Sequence, residues 1–184
     1  MTFRLFARPL PVGELRLLAP YDAPALLECI AADREHFGQW LGWARDMRTP
    51  EDASGFVARG MKRLAEDAAP WVGIWLDGVL VGGVLVWPVD HAGGSAELGY
   101  WLARSAGGRG VVTEAVRAMT TFCFEELDLR KVVIRCAEKN TPSRRVPERL
   151  GFVVEGVLRE QIWWNDEPHD LMVYGMLRRD WPQR

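Results

Sequence analysis

A glycine-rich turn between a strand and a helix constrains the fold of this chain more than any other feature. Ala96–Leu102 is strand-like, Gly107-Gly108-Arg109-Gly110 follows it, and Val111–Ala115 opens a helical pattern. Glycines at a helix N-terminus let several backbone N–H groups point at one anion, and the helix dipole adds positive potential there. The segment predicts either a cradle for a phosphate-bearing ligand or a plain connection between two elements.

Length and charge exclude several classes of protein. The 184 residues suffice for one domain with a core, and a composition of 48% hydrophobic residues is ordinary for a globular protein. A net charge of −2 gives no basic footprint for nucleic acid, although Arg144, Arg145 and Arg149 cluster. No apolar run is long enough to span a membrane, and Met1–Arg4 does not begin a secretory signal. We therefore expect a cytoplasmic protein that binds neither membrane nor nucleic acid.

Cysteines and histidines give no sign of a disulfide framework or a metal site. The three cysteines are far apart among apolar neighbours and are expected to be small core residues: Cys29, Cys123 and Cys136. The three histidines lack metal-ligand spacing, so no metal is expected: His36, His91 and His169.

Patterning along the chain predicts an α/β (α+β) domain with one mixed, mostly antiparallel sheet of seven strands and about four helices. The predicted strands are 14–19, 71–76, 79–86, 95–102, 131–137, 152–162 and 171–177. The predicted helices run from Asp22 to about His36, from Thr49 to before Pro70, over about 110–127 and over 141–150. Phe37–Trp43 is predicted to be an aromatic loop, Asp77-Gly78 a hairpin turn and Gly82-Gly83 a bulge.

Nine tryptophans are many for this length. Those on predicted strands are expected in the core: Trp71, Trp75, Trp87 and Trp101. Those on loops or strand ends could wall a pocket for an acceptor molecule, or could pack locally: Trp40, Trp43, Trp163 and Trp164.

Five segments, in order, carry a resemblance to a known family. They are Trp40-Leu41-Gly42-Trp43, Glu97–Leu102, Gly108-Arg109-Gly110 with Thr113-Glu114-Ala115, Asn140–Phe152, and Glu155–Glu160 with Asp170 and Tyr174. Over about residues 12–181, they resemble the GNAT-type N-acetyltransferases, and most closely the RimJ/RimL branch that acetylates N-terminal amines of ribosomal proteins. The resemblance implies one GNAT domain over residues 1–184, acetyl transfer from acetyl-CoA to a primary amine, and the prospect of a homodimer.

Two departures from the family pattern stand out. The phosphate loop of the family reads Gln/Arg-x-x-Gly-x-Gly/Ala, whereas this chain has Gly107 first and Val112 last. A cradle made of backbone N–H groups does not need the missing polar side chain. Pro147 lies inside a predicted helix, where proline removes a hydrogen bond and is expected to kink the helix, with a small shift of Asn140 or Ser143.

The resemblance also implies which residues bind acetyl-CoA. They are Leu98, Gly99, Tyr100, Gly107, Gly108, Arg109, Gly110, Val111, Val112, Thr113, Asn140, Ser143 and Arg144. Other roles stay open for some of them. Asn140 could instead be a turn residue at the helix entry, Thr113 could cap a helix, and Arg109 and Arg144 could be solubilising surface residues.

Acetyl transfer to an amine needs a group that removes a proton and a group that assists the leaving thiolate. Glu97 is the candidate base, with an exposed or ion-paired glutamate as the alternative, and Glu160 and Asp170 are rivals. Asp170 could also orient the acceptor amine or hold its loop, so Glu160 and Asp170 join Trp40 and Trp43 as candidate substrate-binding residues. Ser143 is the candidate acid toward the coenzyme A sulfur, because the tyrosine that many relatives use falls at Pro147, but it could merely satisfy a helix N-terminus.

The sequence does not identify the molecule that accepts the acetyl group. A protein N-terminal amine, as in the RimJ/RimL branch, is expected first. A small amine, such as a polyamine, an amino acid or an aminoglycoside, is the alternative within the same chemistry. A regulatory domain that binds acyl-CoA without catalysis is the alternative outside it.

Overall fold

The computed structural model describes residues 7–164 and 166–182, which form eight strands and six α-helices. The strands are β1 (Ala7–Pro9), β2 (Glu14–Leu17), β3 (Trp71–Leu76), β4 (Val79–Asp90), β5 (Ser95–Leu102), β6 (Lys131–Ala137), β7 (Val153–Trp164) and β8 (Glu167–Leu177). The helices are α1 (Ala23–Ala32), α2 (Arg34–Gly38), α3 (Gly42–Asp46), α4 (Pro50–Asp67), α5 (Val111–Glu125) and α6 (Thr141–Arg149). Met1–Arg4, considered above for a secretory signal, lies outside the described residues.

The strands form one mixed sheet in the order β1-β2-β3-β4-β5-β6-β8-β7. The pairs β1–β2, β2–β3, β3–β4, β6–β8 and β7–β8 are antiparallel, and β5–β6 is parallel. The predicted mixed, mostly antiparallel sheet is therefore confirmed. It has an eighth strand because three residues of β1 pair with β2, and a segment this short shows no alternating pattern.

The described chain divides into two compact units. The first comprises residues 7–85 and Tyr100–Ala115, and the second comprises Val86–Gly99 and the described residues from 116 to 182. The single domain expected over 1–184 stays a prediction. No helix among the described residues is both long and apolar enough to cross a membrane.

Aromatic packing dominates the core of the first unit. Trp43 lies 4.4 Å from Phe56 and 5.7 Å from Trp101 between ring centroids, and Phe37 lies 5.6 Å from Trp101. Leu26 and Ile30 of α1 and Val57 of α4 are buried in the same cluster. Large rings at these distances contribute both buried apolar area and favourable edge-to-face contacts.

Helix α4 begins where the sequence predicts. The Thr49 hydroxyl accepts a hydrogen bond from Asp52 N at 3.2 Å, and Asp52 Oδ2 accepts one from Thr49 N at 2.9 Å. This reciprocal capping box satisfies two N–H groups that the helix leaves unpaired, and Pro50 occupies the first helical position. Local signals therefore suffice for this helix.

Strands β6 and β8 supply much of the core of the second unit. Val132 and Ile134 of β6 are fully buried, as is Tyr174 of β8, which pairs with Ile134. Cys123 and Cys136 are also buried, as predicted, and burial is the largest influence that raises the pKa of the Cys123 thiol to about 12. Cys29, in the first unit, is only partly buried.

Several predicted elements differ from the observed ones. The first helix ends at Ala32 rather than near His36, and the predicted aromatic loop contains the last two residues of α2 and the start of α3. Asp22 stands at the N-cap position of α1, but its carboxylate accepts from Ala19 N at 2.9 Å instead of capping that helix. These differences arise where a side chain finds a partner that the local pattern does not reveal.

Strand β4 contains a bulge one residue before the predicted position and a tryptophan that was wrongly expected in the core. The register shifts from Ile74 opposite Gly82 to Trp75 opposite Leu80, which leaves Val81 as the extra residue of a bulge beside the predicted Gly82-Gly83. Trp87 was expected in the core and is 45% exposed. It lies in the part of β4 after Val86, where none of the residues is buried.

Candidate functional site

In the first unit, the glycine-rich turn leads from β5 into α5 through backbone conformations that favour glycine. Gly108 and Gly110 have φ of +76° and +74°, and a Cβ built on either would meet no heavy atom within 4 Å. The first hydrogen bond of α5 runs from Glu114 N to Gly110 O at 3.0 Å, so the N–H groups just before Glu114 lie at the free end of the helix. The open space beside this helix end suits an anion.

The side chain of Arg109 forms a hydrogen bond with the backbone of the same turn. Arg109 Nη2 donates to Ser105 O at 2.9 Å, so the guanidinium braces the loop from inside. Gly107 N donates to Arg104 O at 3.0 Å and closes the turn that precedes the glycines. Thr113 is buried in the first turn of α5. The loop is thus held by its own contacts.

In the second unit, Glu97 lies on β5 beside an arginine of the next strand. The parallel register pairs Glu97 with Val133, which puts Arg135 two residues further on the same face of β6. Arg135 Nε donates to Glu97 Oε2 at 2.7 Å. Burial raises the pKa of the Glu97 carboxyl above its ordinary value, while the hydrogen bond and charge of Arg135 lower it. Sequence reasoning missed Arg135, because only the strand pairing brings it to Glu97.

Three neighbours of Glu97 were expected to bind acetyl-CoA. Leu98 is fully buried. A Cβ built on Gly99 would meet nothing within 4 Å. Tyr100, which belongs to the first unit, is partly buried.

At the start of α6, two predicted site residues form hydrogen bonds, one of them with Cys136 of β6. Asn140 Oδ1 accepts from Ser143 N at 3.2 Å, so Asn140 caps the helix. Burial raises the pKa of the Cys136 thiol to about 11, against the smaller lowering effect of a hydrogen bond with the Ser143 hydroxyl. The predicted role of Asn140 in helix entry is confirmed, and its role toward coenzyme A stays a prediction.

Arg144 is held by a network that includes a buried tyrosine. Arg144 Nε donates to Tyr174 Oη at 3.2 Å, and Tyr174 Oη donates to Glu148 Oε1 at 2.9 Å. Arg144 Nη1 donates to Glu138 O at 3.2 Å. Burial is the largest influence that raises the pKa of Tyr174. The network ties α6 to β8, and α6 runs continuously from Thr141 to Arg149 with Pro147 inside it.

Glu160 and Asp170 are brought together at an irregularity between β7 and β8. The register passes from Leu158 opposite Leu171 to Ile162 opposite His169, which leaves extra residues in β7. Glu160 has a φ of +51°, unusual for a residue with a side chain, and its N–H donates to Asp170 Oδ1 at 2.9 Å. Asp170 therefore holds this backbone, one of the two roles predicted for it.

Of the tryptophans that could wall an acceptor pocket, one packs in the core and the others are partly or largely exposed. Trp43 packs against Phe56 and Trp101, so local packing accounts for its ring. Trp40 and Trp164 are partly buried, and Trp163 is 70% exposed. Among the residues that the structure describes, no group of three histidine, cysteine, aspartate or glutamate side chains is placed to hold a metal ion.

Comparisons with known proteins all find similarity to acetyltransferases. A family model described as Acetyltransferase (GNAT) domain matches residues 14–153. The chain is 36% identical over 168 residues, 91% of its length and 92% of the relative, to the Bacillus subtilis (strain 168) protein named "Putative ribosomal N-acetyltransferase YdaF". It is 27% identical over 164 residues, 89% of its length and 92% of the relative, to ribosomal-protein-serine acetyltransferase of Escherichia coli (strain K12).

One similar solved structure was determined with coenzyme A bound as a disulfide. Mycobacterium smegmatis RimJ in complex with CoA-disulfide matches with a TM-score of 0.88 and 27% identity, over 96% of this chain and 89% of the RimJ chain.

Proposed function

The chain belongs to the GNAT acetyltransferase family, and from that membership we propose that it acetylates the α-amine of a protein N-terminus. It is an acyltransferase that uses acetyl-CoA. The finer statement concerns the acceptor, and the names of ribosomal acetyltransferases among the relatives support it.

The residues of the glycine-rich turn fit the diphosphate of acetyl-CoA. The observation that carries this assignment is the pair Gly108 and Gly110, where positive φ and open space leave backbone N–H groups accessible at the start of α5. Such a helix end attracts an anion through unpaired N–H groups and through the helix dipole. Gly107 and Val112 depart from the family loop, but neither departure removes a backbone N–H.

The remaining roles concern protons. Acetyl-CoA supplies an acetyl thioester that an amine can attack. An α-amine has a pKa of about 8 against about 10 for lysine, so an N-terminus presents more free amine at neutral pH. We assign the removal of the amine proton to Glu97 and a hydrogen bond to the leaving thiolate to the hydroxyl of Ser143. Half-burial and a raised pKa support Glu97 as the base.

The acceptor is tested by direct assay. Acetyl transfer from acetyl-CoA should occur to a peptide with a free N-terminal serine, and not to the same peptide with a blocked N-terminus and an internal lysine. Spermidine, free amino acids and an aminoglycoside are the comparison acceptors. Faster transfer to any of these small amines would overturn the N-terminal assignment and leave the acetyltransferase chemistry standing.

Arg135 gives a pH test of Glu97. Arg135 lowers the pKa of Glu97, so Arg135→Met should raise that pKa further. A base works only when deprotonated, so the acidic limb of kcat/KM against pH should move to higher pH in Arg135→Met. Arg135→Lys keeps the charge and should move the limb less. An unmoved limb in Arg135→Met would assign the titration to another group.

Asp170 and Glu160 test whether the β7 irregularity shapes the acceptor site. Asp170→Ala removes the acceptor of the Glu160 N–H and should raise the peptide KM about tenfold, since hydrogen bonds to charged groups contribute roughly 1.5–3 kcal/mol. Asp170→Asn keeps an oxygen that accepts from the same N–H and should leave the KM close to that of the unchanged protein. An equal loss in both variants would show that the charge of Asp170, and not its hold on Glu160, matters for the acceptor.

A homodimer and a cytoplasmic location complete the proposal. The edge strand β7 supports the homodimer, because it exposes apolar side chains: Val153 66%, Val154 49%, Val157 47% and Trp163 70%. Exposed apolar edges invite pairing with another chain. Light scattering should give the mass of two chains, and Val157→Lys should give the mass of one; a single chain in the unchanged protein would refute the dimer. The ribosomal names of the relatives support the cytoplasm.

A further inference from the structure

An aspartate between two helices of the first unit holds the backbone that leads into the glycine-rich turn. Asp33 has φ −135° and ψ 33° and separates α1 from α2. Its Oδ2 accepts a hydrogen bond from Arg104 N at 2.7 Å, although the two residues are 71 positions apart. Its Oδ1 lies 3.8 Å from Arg104 Nε. One carboxylate thus contacts both the backbone and the side chain of Arg104.

Neighbouring contacts fix the same stretch from two sides. His36 Nε2 lies 3.3 Å from Leu102 O and donates to it when Nε2 carries the proton. Ala103 N donates to Val81 O at 2.7 Å. Residues Leu102 to Arg104 are therefore held by the α1–α2 corner and by β4 before the turn begins.

The hold on Arg104 continues into the glycines. Arg104 O accepts from Gly107 N at 3.0 Å, and Ser105 O accepts from the guanidinium of Arg109 at 2.9 Å. A shift of Arg104 would therefore move both ends of Gly107–Arg109. Because Gly108 and Gly110 have no side chain to pack, these contacts carry much of the order of the turn.

We propose that Asp33 is a positioning residue for the glycine-rich turn: it sets where the backbone N–H groups of Gly107–Gly110 point and thereby sets the affinity for coenzyme A. The inference rests on the proposed role of this turn in holding the diphosphate. Asp33 acts in this proposal through its contacts with Arg104 and not as a ligand-binding residue. A charge-assisted hydrogen bond of 2.7 Å is strong enough to hold a loop, and the carboxylate is only 20% exposed, so water competes poorly for it.

The test compares three variants by calorimetric titration with coenzyme A and by steady-state kinetics. Asp33→Ala loses the acceptor of the Arg104 N–H and should weaken coenzyme A binding about tenfold, a loss of one charge-assisted hydrogen bond. Its KM for acetyl-CoA should rise while kcat changes little. Asp33→Asn keeps an oxygen for the same N–H and should restore most of the affinity.

Arg34→Met is the matched control. Arg34 is the next residue, and its guanidinium holds the same corner to α3 through Ala44 O at 3.3 Å and through Met47 O. Arg34→Met should lower the melting temperature but leave coenzyme A affinity unchanged. Equal weakening by Arg34→Met and Asp33→Ala would overturn the proposal, as would unchanged binding in Asp33→Ala or no rescue in Asp33→Asn.

The variant Gly110→Asp tests the role of the glycine-rich turn separately from the role of Asp33. If Gly110→Asp leaves coenzyme A binding intact, the proposed role of the turn fails. If Gly110→Asp abolishes binding and Asp33→Ala does not weaken it, only the role of Asp33 fails.

Discussion

Replacement of Gly110 by aspartate should weaken acetyl-CoA binding at least about 100-fold. Gly110 has a φ of +74°, where a residue with a side chain costs roughly 1–2 kcal/mol. The added carboxylate would also occupy the open space at the start of α5 and repel a diphosphate. We expect the strained turn to relax away from the conformation that presents its N–H groups, and this change together with repulsion should give the loss, at about 1.4 kcal/mol per tenfold change in affinity. Calorimetric titration with acetyl-CoA measures it.

Gly78 provides a control for strain and charge. It has a φ of +79°, a Cβ there would also meet nothing within 4 Å, and it lies in the hairpin turn between β3 and β4. Gly78→Asp therefore imposes the same conformational strain and adds the same charge, but outside the glycine-rich turn. It should bind acetyl-CoA normally. Equal losses in Gly78→Asp and Gly110→Asp would mean that strain on the fold, and not loss of the cradle, explains the result.

Glu97→Gln should reduce kcat about 100- to 1000-fold, within the range that general bases contribute. The amide cannot take a proton from the amine, but its oxygen can still accept from Arg135 Nε, so the local structure should persist. Affinity for acetyl-CoA should be unchanged, which calorimetry checks beside the rate.

Glu160→Gln is the comparison for Glu97→Gln, because Glu160 is the rival carboxylate on β7. We expect it to affect the KM of the acceptor more than kcat. A large fall of kcat in Glu160→Gln together with a normal kcat in Glu97→Gln would reassign the base. A normal kcat in both would remove carboxylate base catalysis by these residues from the mechanism.

Elements with complete local signals could be predicted from the sequence. Thr49, Pro50 and Asp52 contain the whole capping box, and Asp77-Gly78 contains both positive-φ residues of its turn. Strands β3, β5 and β6 have the predicted boundaries for a similar reason, since their residues suit a buried strand and turn residues flank them.

Elements that depend on distant partners could not be predicted. The break at Asp33 leaves a carboxylate that binds Arg104, 71 residues later, and the helical pattern of Leu26 and Ile30 does not reveal it. The candidate site shows the same limit. Glu97 and Asp170 could be located from sequence, but the partners Arg135 and Glu160 N–H follow from strand register and from a bulge.

Gly73 of β3 and Gly83 of β4 leave the volume that two indoles fill. A Cβ on Gly83 would lie 2.6 Å from Trp101 Nε1 and 2.8 Å from Val72 O, and one on Gly73 would lie 2.7 Å from Trp75 Nε1. A Cβ on Gly82 would lie 2.6 Å from Trp101 O. A smaller side chain at 101 would therefore relieve only part of the crowding at 83, because Val72 O belongs to the backbone of the neighbouring strand. We expect position 83 to accept glycine alone, whatever residue stands at 101.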